Sequence, residues 1–216
     1  MTARRTGLRE QKKQATRQAL REAALRLALE RGPDNVRVDD IAEAAGVSPR
    51  TYNNYFSSRE EAIVAAVTAE RESRVAAAIA ARPDGVRLAD AVADAVVEQY
   101  TDPGTRQGDA LVLITTRPAL REAFVDAAAR VEEPLTDAIA ARICDRDRDA
   151  ARVLAASVAA AIRIALDRWT SGTAGAPAVP GGLVVPSGPL PDLLRAALAP
   201  LAPALNAAEE RAAARD

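Results

Sequence analysis

Leu20, Ala23, Ala24, Leu27 and Ala28 recur at three- and four-residue steps, the spacing that lines one face of an α-helix, and predict a helix over residues 10–31. Gly32-Pro33 stops it, since glycine accepts a left-handed cap and proline cannot continue the hydrogen-bond ladder. A short helix is expected over residues 38–45, with Asp39 and Asp40 in its first turn, where the helix dipole favours carboxylates. Gly46 breaks it. Ser48 and Pro49 then supply an N-cap and a first helical position for a helix reaching about Tyr55. Ser58 and Glu61 have capping-box spacing at the start of a longer helix over 59–81.

After the Pro83-Asp84-Gly85 turn, helices are expected over residues 86–101, 108–116, 118–143 and 147–170. Asp102-Pro103-Gly104 separates the first two, and Pro134 predicts a kink or break inside the third. Residues 171–190, rich in Gly, Pro and Ser, read as one long loop. A last helix over 191–210 carries Leu193, Leu194, Leu198, Leu201 and Leu205 on one side, with Pro200 and Pro203 set to bend it. The fold class is all-α. The organisation read from this pattern is a basic arm at 1–9, a head at 10–58 and a larger helical body at 59–216.

Composition narrows the chemistry. The chain has no histidine, so neither a Ser-His-Asp or Cys-His nucleophile system nor a histidine metal site can be built. The single cysteine, Cys144, can form no internal disulfide, which fits a reducing compartment. An enzyme is therefore not expected, no metal or cofactor is implied, and the longest apolar stretch, Val153 to Ile162, is too short to span a bilayer. A charged, polar N-terminus lacks the apolar core of a signal peptide, and a cytoplasmic protein is expected. The net charge of -1 hides an asymmetry: residues 1–60 hold twelve basic side chains and eight acidic ones. A positive head on a negative body suits a polyanion at one end of the molecule.

The stretch Val38 to Phe56 carries a more specific signal. Two helices that cross closely need a small residue at the contact, supplied by Ala42, and a turn residue tolerant of positive φ, supplied by Gly46. Ile41, Ala45, Val47, Tyr52 and Phe56 fall at the spacing of a small shared core. These requirements describe a helix-turn-helix. The same spacing turns Arg50, Thr51, Asn53 and Asn54 outward, where arginine would fork onto guanine and asparagine would pair with adenine. Ser48 and Tyr55 are candidates for phosphate contacts, as is Arg59 at the start of the following helix.

The run from Leu20 through VDDIAEAAGVSPRTYNNYF to SSREEAI resembles the head of the tetracycline-repressor (TetR) family. The resemblance covers about the first quarter of the chain. It implies a homodimeric regulator, in most cases a repressor, that binds a palindromic operator and is released by a small-molecule effector held in a helical body. Carried over by position, Arg50, Thr51, Asn53 and Tyr55 become recognition-helix contacts and Arg59 a phosphate contact. Two positions depart from the family pattern. Asn53 stands where an aromatic residue is usual, which favours base reading over phosphate contact, and Arg37 stands where Thr or Ser usually caps, so that an arginine–phosphate contact replaces a cap.

Over the body the resemblance is weak. Leu154, Val158, Ala161, Ile162, Ala165 and Trp169 lie along one face and, paired with the last helix, are expected to form half of an intersubunit four-helix bundle. Tyr100, Thr115, Arg117, Phe124 and Trp169 are the candidates for an effector site accepting an apolar or acyl-CoA-like molecule, Thr116 adding a further hydroxyl beside Thr115. Arg117, if buried, would require an anionic partner. The competing readings are an architectural DNA-binding protein with no effector site and, least favoured, a helical enzyme; no membrane partner is expected.

Overall fold

The computed structural model describes residues 2–69, 71–83, 85–101, 108–144, 148–171 and 189–214. Helices make up nearly all of these residues, in the order α1 (Thr2–Arg31), α2 (Val38–Ala44), α3 (Pro49–Tyr52), α4 (Arg59–Thr68), α5 (Arg71–Ala80), α6 (Leu88–Thr101), α7 (Gly108–Thr116), α8 (Pro118–Asp126), α9 (Glu132–Arg142), α10 (Asp149–Ser171), α11 (Leu190–Leu198) and α12 (Ala202–Ala213). No strand occurs among the described residues. The expected loop at 171–190 lies almost wholly outside them.

Breaks fall where the sequence places proline and glycine. Gly32 adopts φ 79° and ends α1, and Pro33 opens a single 3-10 turn. The helix expected over 118–143 is cut by a 3-10 segment, Ala127–Val131, so that Pro134 sits in the first turn of α9, where its missing N–H costs nothing. Pro200 lies in the 3-10 turn between α11 and α12, and Pro203 in the first turn of α12. Two departures lack such punctuation. The first helix begins at Thr2, so the residues read as an arm are helical. The helix expected over 59–81 is two, α4 and α5, although no Gly or Pro stands between them. In the last turn of α4 the Thr68 hydroxyl donates to the Val64 carbonyl at 3.2 Å.

The chain divides into two compact units. The first comprises the residues up to Thr68 together with Asp109–Phe124. Its core joins Leu20, Ala24 and Leu27 of α1 to Ile41 and Ala42 of α2, Tyr52 and Phe56 of the next segment, and Ile63 of α4, all essentially inaccessible to water. Arg117, at the α7–α8 junction, pairs with Asp34 at 3.0 Å within this unit.

The second unit holds Ala69–Gly108 and Val125–Asp216. In it α10 packs on α9 and α11, while α5 packs on α6 and α9. Polar side chains of α12 anchor the start of α6: Glu209 accepts from the Leu88 N–H at 2.8 Å, and the Asn206 side-chain carbonyl accepts from the Ala89 N–H at 3.2 Å. Arg142 closes the joint by donating to both Glu209 and the Val86 carbonyl at 2.7 Å. The α10 stripe expected to face a second subunit is spent internally instead. Val158, Ala161, Ile162, Ala165 and Trp169 are buried in this unit, because α9 and α11 already cover that side.

Candidate nucleic-acid interface

The turn between α2 and α3 is built by glycine. Gly46 has φ 69°; its N–H donates to the Glu43 carbonyl at 3.0 Å and the Val47 N–H to the Ala42 carbonyl at 2.9 Å. That pair of bonds is a Schellman cap, which satisfies the last carbonyls of α2 and reverses the chain within one residue. Ser48 then starts α3: its hydroxyl accepts from the Thr51 N–H at 3.1 Å and lies 2.9 Å from the Thr51 hydroxyl. Ala42 is fully buried, as a close helix crossing requires, whereas Ala45 and Val47 are only half-buried.

Below the turn, Tyr52 anchors the pair. Its ring is fully buried 5.8 Å from that of Phe56, and its hydroxyl donates to the Ser58 carbonyl at 2.7 Å. Burial, reinforced by the nearby Glu61 and Glu60 carboxylates, holds its ionisation well above the ordinary tyrosine range. The Ser58 hydroxyl accepts from the Glu61 N–H at 3.0 Å, but the Glu61 carboxylate returns to Ser57, not Ser58, at 2.7 Å from its N–H. The capping box is therefore shifted by one residue.

With these groups fixed inward, Arg50, Asn53 and Asn54 are exposed, and Thr51 and Tyr55 half-exposed. None of the three exposed side chains belongs to the core. Arg37 is also exposed and occupies the N-cap position of α2. The Asp40 carboxylate accepts from its backbone N–H at 2.8 Å, but a guanidinium has no lone pair to cap the helix in return, so the arginine head stays free to point outward. Arg59 differs. It donates to the Val36 carbonyl at 2.9 Å, the Asp34 carbonyl at 3.3 Å and Glu60 at 2.6 Å, bracing the loop after α1 against α4.

The body candidates do not gather in one unit. Thr115, Arg117 and Phe124 belong with the first, Tyr100 and Trp169 with the second. Arg117 is exposed and pairs with Asp34, so the condition of burial is not met; the Thr115 hydroxyl back-bonds to the Leu111 carbonyl at 2.9 Å, and Phe124 is core. Among the described residues the buried arginine is Arg71, 6% exposed, whose guanidinium carbon lies 4.5 Å from the centre of the Tyr100 ring. Desolvation lowers its affinity for the proton against the raising effect of Tyr100, whose own ionisation burial pushes up to about 12. Sequence reasoning missed Arg71 because an arginine in a mixed-charge helix carries no mark of burial.

Residues 20–66 match the family described as bacterial regulatory proteins, tetR family. An HTH-type transcriptional regulator, TcmR of Streptomyces glaucescens, is 40% identical over 79 residues, which are 37% of this chain and 34% of that protein. The chain thus spans about a third of the length of the curated relative it matches. The matched region contains the Schellman turn, the Ser48 cap and the exposed face of α3. On that agreement of sequence and geometry, residues 20–66 form a helix-turn-helix head similar to that of the tetR family of bacterial regulatory proteins.

Proposed function

We propose that the protein is a transcriptional repressor that binds a palindromic operator as a homodimer and leaves it when a small molecule occupies the body. The observation that carries this reading is the outward face of α3 and the turn after it. Arg50 on α3, and Asn53 and Asn54 in the turn that follows it, stand exposed with no internal task, on a segment held by Gly46, Ser48 and Tyr52. A fixed helix and its C-terminal turn, presenting an arginine fork and two amides, match what base edges in a major groove offer. Arg37 and Tyr55 would contact phosphate. Ser48 and Thr51 would do so through the same hydroxyls that bond each other, and Arg59 would act mainly as a brace behind the contact surface. The cytoplasm, where chromosomal DNA lies, is the compartment this reading requires.

Dimerisation would use the face of α10 that packing leaves open. Val153 and Ile164 are 66% and 52% exposed, and with Ala156 and Ala160 they form an apolar stripe. A groove lined by Val153, Leu154, Ala204 and Ala207 together with Asp149 and Arg211 extends the stripe onto α12. The effector would occupy the second unit, where Tyr100 and Trp169 lie, and would act by preferring a geometry of the two heads that cannot reach both half-sites.

The test is selection of bound duplexes from a random-sequence pool by the full-length protein. An inverted repeat is expected, with half-sites one helical turn (about 34–36 Å) or multiples apart. Arg50→Ala should cost about 1–3 kcal/mol and relax preference at one base position. Failure to retain any duplex at low ionic strength would refute the reading.

A further inference from the structure

Upstream of the region shared with the family, α1 continues through residues that have nothing apolar to bury. Between Gln11 and Ala19 the apolar residues are Ala15 and Ala19; Gln11 through Ala15, Arg17 and Gln18 are exposed, and the first core residue is Leu20. A helix that is polar all round is not held by packing. Over residues 9–21 it carries five basic side chains and one acidic.

The basic residues are ordered around the helix. At about 100° per residue, Arg9, Lys13 and Arg17 fall on the side of α1 that Leu20, Ala24 and Leu27 occupy further along, with Lys12 at its edge. The face that is buried in the head downstream is therefore, upstream, an open cationic stripe. Arg9, Lys12, Lys13 and Arg17 make no ion pair with a carboxylate among the described residues. The stripe also reaches the recognition segment: the Arg17 guanidinium carbon lies 5.6 Å from the centre of the Phe56 ring, next in sequence to Tyr55.

We propose that Arg9, Lys12, Lys13 and Arg17 form a second DNA-contacting surface, gripping the phosphate backbone that flanks the half-site entered by α3. The inference rests on the DNA-binding reading above and extends it to a segment outside the helix-turn-helix. Three observations select duplex DNA as the occupant: the sign of the charge, its continuity with the recognition segment, and the lack of apolar anchors that a protein partner would require. Such contacts carry no sequence information. They raise affinity for operator and random DNA alike and make it steeply dependent on salt.

The experiment compares the full-length protein with the combined variant Arg9→Gln, Lys12→Gln, Lys13→Gln. Arg17 is kept because it touches Phe56. Affinity for the selected duplex is measured across a salt series, once with flanks of about one helical turn and once trimmed to the repeat. Each phosphate that the variant no longer neutralises makes the log–log salt slope shallower by about 0.9, so for a dimer the slope should fall by about 2 to 5. Base preference should not change, and on the trimmed duplex wild type and variant should converge. A charge-conserving variant, Arg9→Lys, Lys12→Arg, Lys13→Arg, should keep the wild-type slope, which separates charge from folding. An unchanged slope in the glutamine variant overturns the proposal, as does an equal fall in the charge-conserving one. If wild type binds no duplex at all, it is the functional reading that fails.

Discussion

Gly46 offers a clean measurement because the structure separates backbone strain from crowding. A Cβ added there meets no atom within 4 Å, so any loss on substitution comes from holding an L-residue at φ 69°. For an ordinary residue the left-handed conformation costs about 1–2 kcal/mol, of which a few tenths return through the stiffer unfolded chain. Gly46→Ala should therefore destabilise the head by about 1 kcal/mol. Gly46→Asn should cost roughly half as much, since asparagine visits this region, and Gly46→Val about 2 kcal/mol or more. Trp169 reports the second unit, so its fluorescence is the wrong probe. Native-state hydrogen exchange at the amides of Gly46 and Val47, which close the Schellman cap, reads the right place. The alanine variant should open there about fivefold more readily, and the order Gly, Asn, Ala, Val should hold. Equal protection in the alanine and glycine proteins would refute the argument, as would an asparagine variant worse than valine.

Other expectations concern both units. Tyr52 and Tyr100 both ionise above the ordinary value of 10.0, so the fold favours their neutral forms; stability should be intact below pH 10 and fall as pH rises through the folded values, about 12 for Tyr100. Urea unfolding of Tyr52→Phe and Tyr100→Phe should show a flatter alkaline limb than wild type, and an unaltered limb would count against the burial of both hydroxyls. Glu209→Ala removes the acceptor shared by Leu88 and Arg142 and should cost about 2 kcal/mol, read by Trp169 fluorescence during urea unfolding; a loss below about 0.5 kcal/mol would mean the joint is not taut. Val153→Glu with Ile164→Glu should leave the helical content unchanged while converting a dimer to a monomer in sedimentation; a persistent dimer would move the interface elsewhere.

The head was legible in one sequence because its requirements are local. A left-handed turn admits few residues besides glycine, a helix start wants an oxygen three residues before a free N–H, and a close crossing wants alanine; Gly46, Ser48 and Ala42 meet those needs within seven positions. The outward face of Arg50, Asn53 and Asn54 followed from the same period. The prolines at 134, 200 and 203 likewise announced their breaks, since a missing N–H acts wherever it falls.

Tertiary packing decided what periodicity left undetermined. A helical stripe shows that one face is buried but not against what, so the Val158–Trp169 stripe of α10, expected at a subunit interface, is internal core. Charge is similarly mute. Arg117, Arg59 and Arg71 look alike in the chain, yet one pairs at the surface with Asp34, one braces the head through backbone carbonyls, and one is buried over Tyr100. A long side chain's role is set by which acceptors lie within several ångströms of its tip, and those arrive from residues distant in sequence. Helical spacing therefore specified the elements and the turn, while the assignment of each face and each arginine waited for the fold.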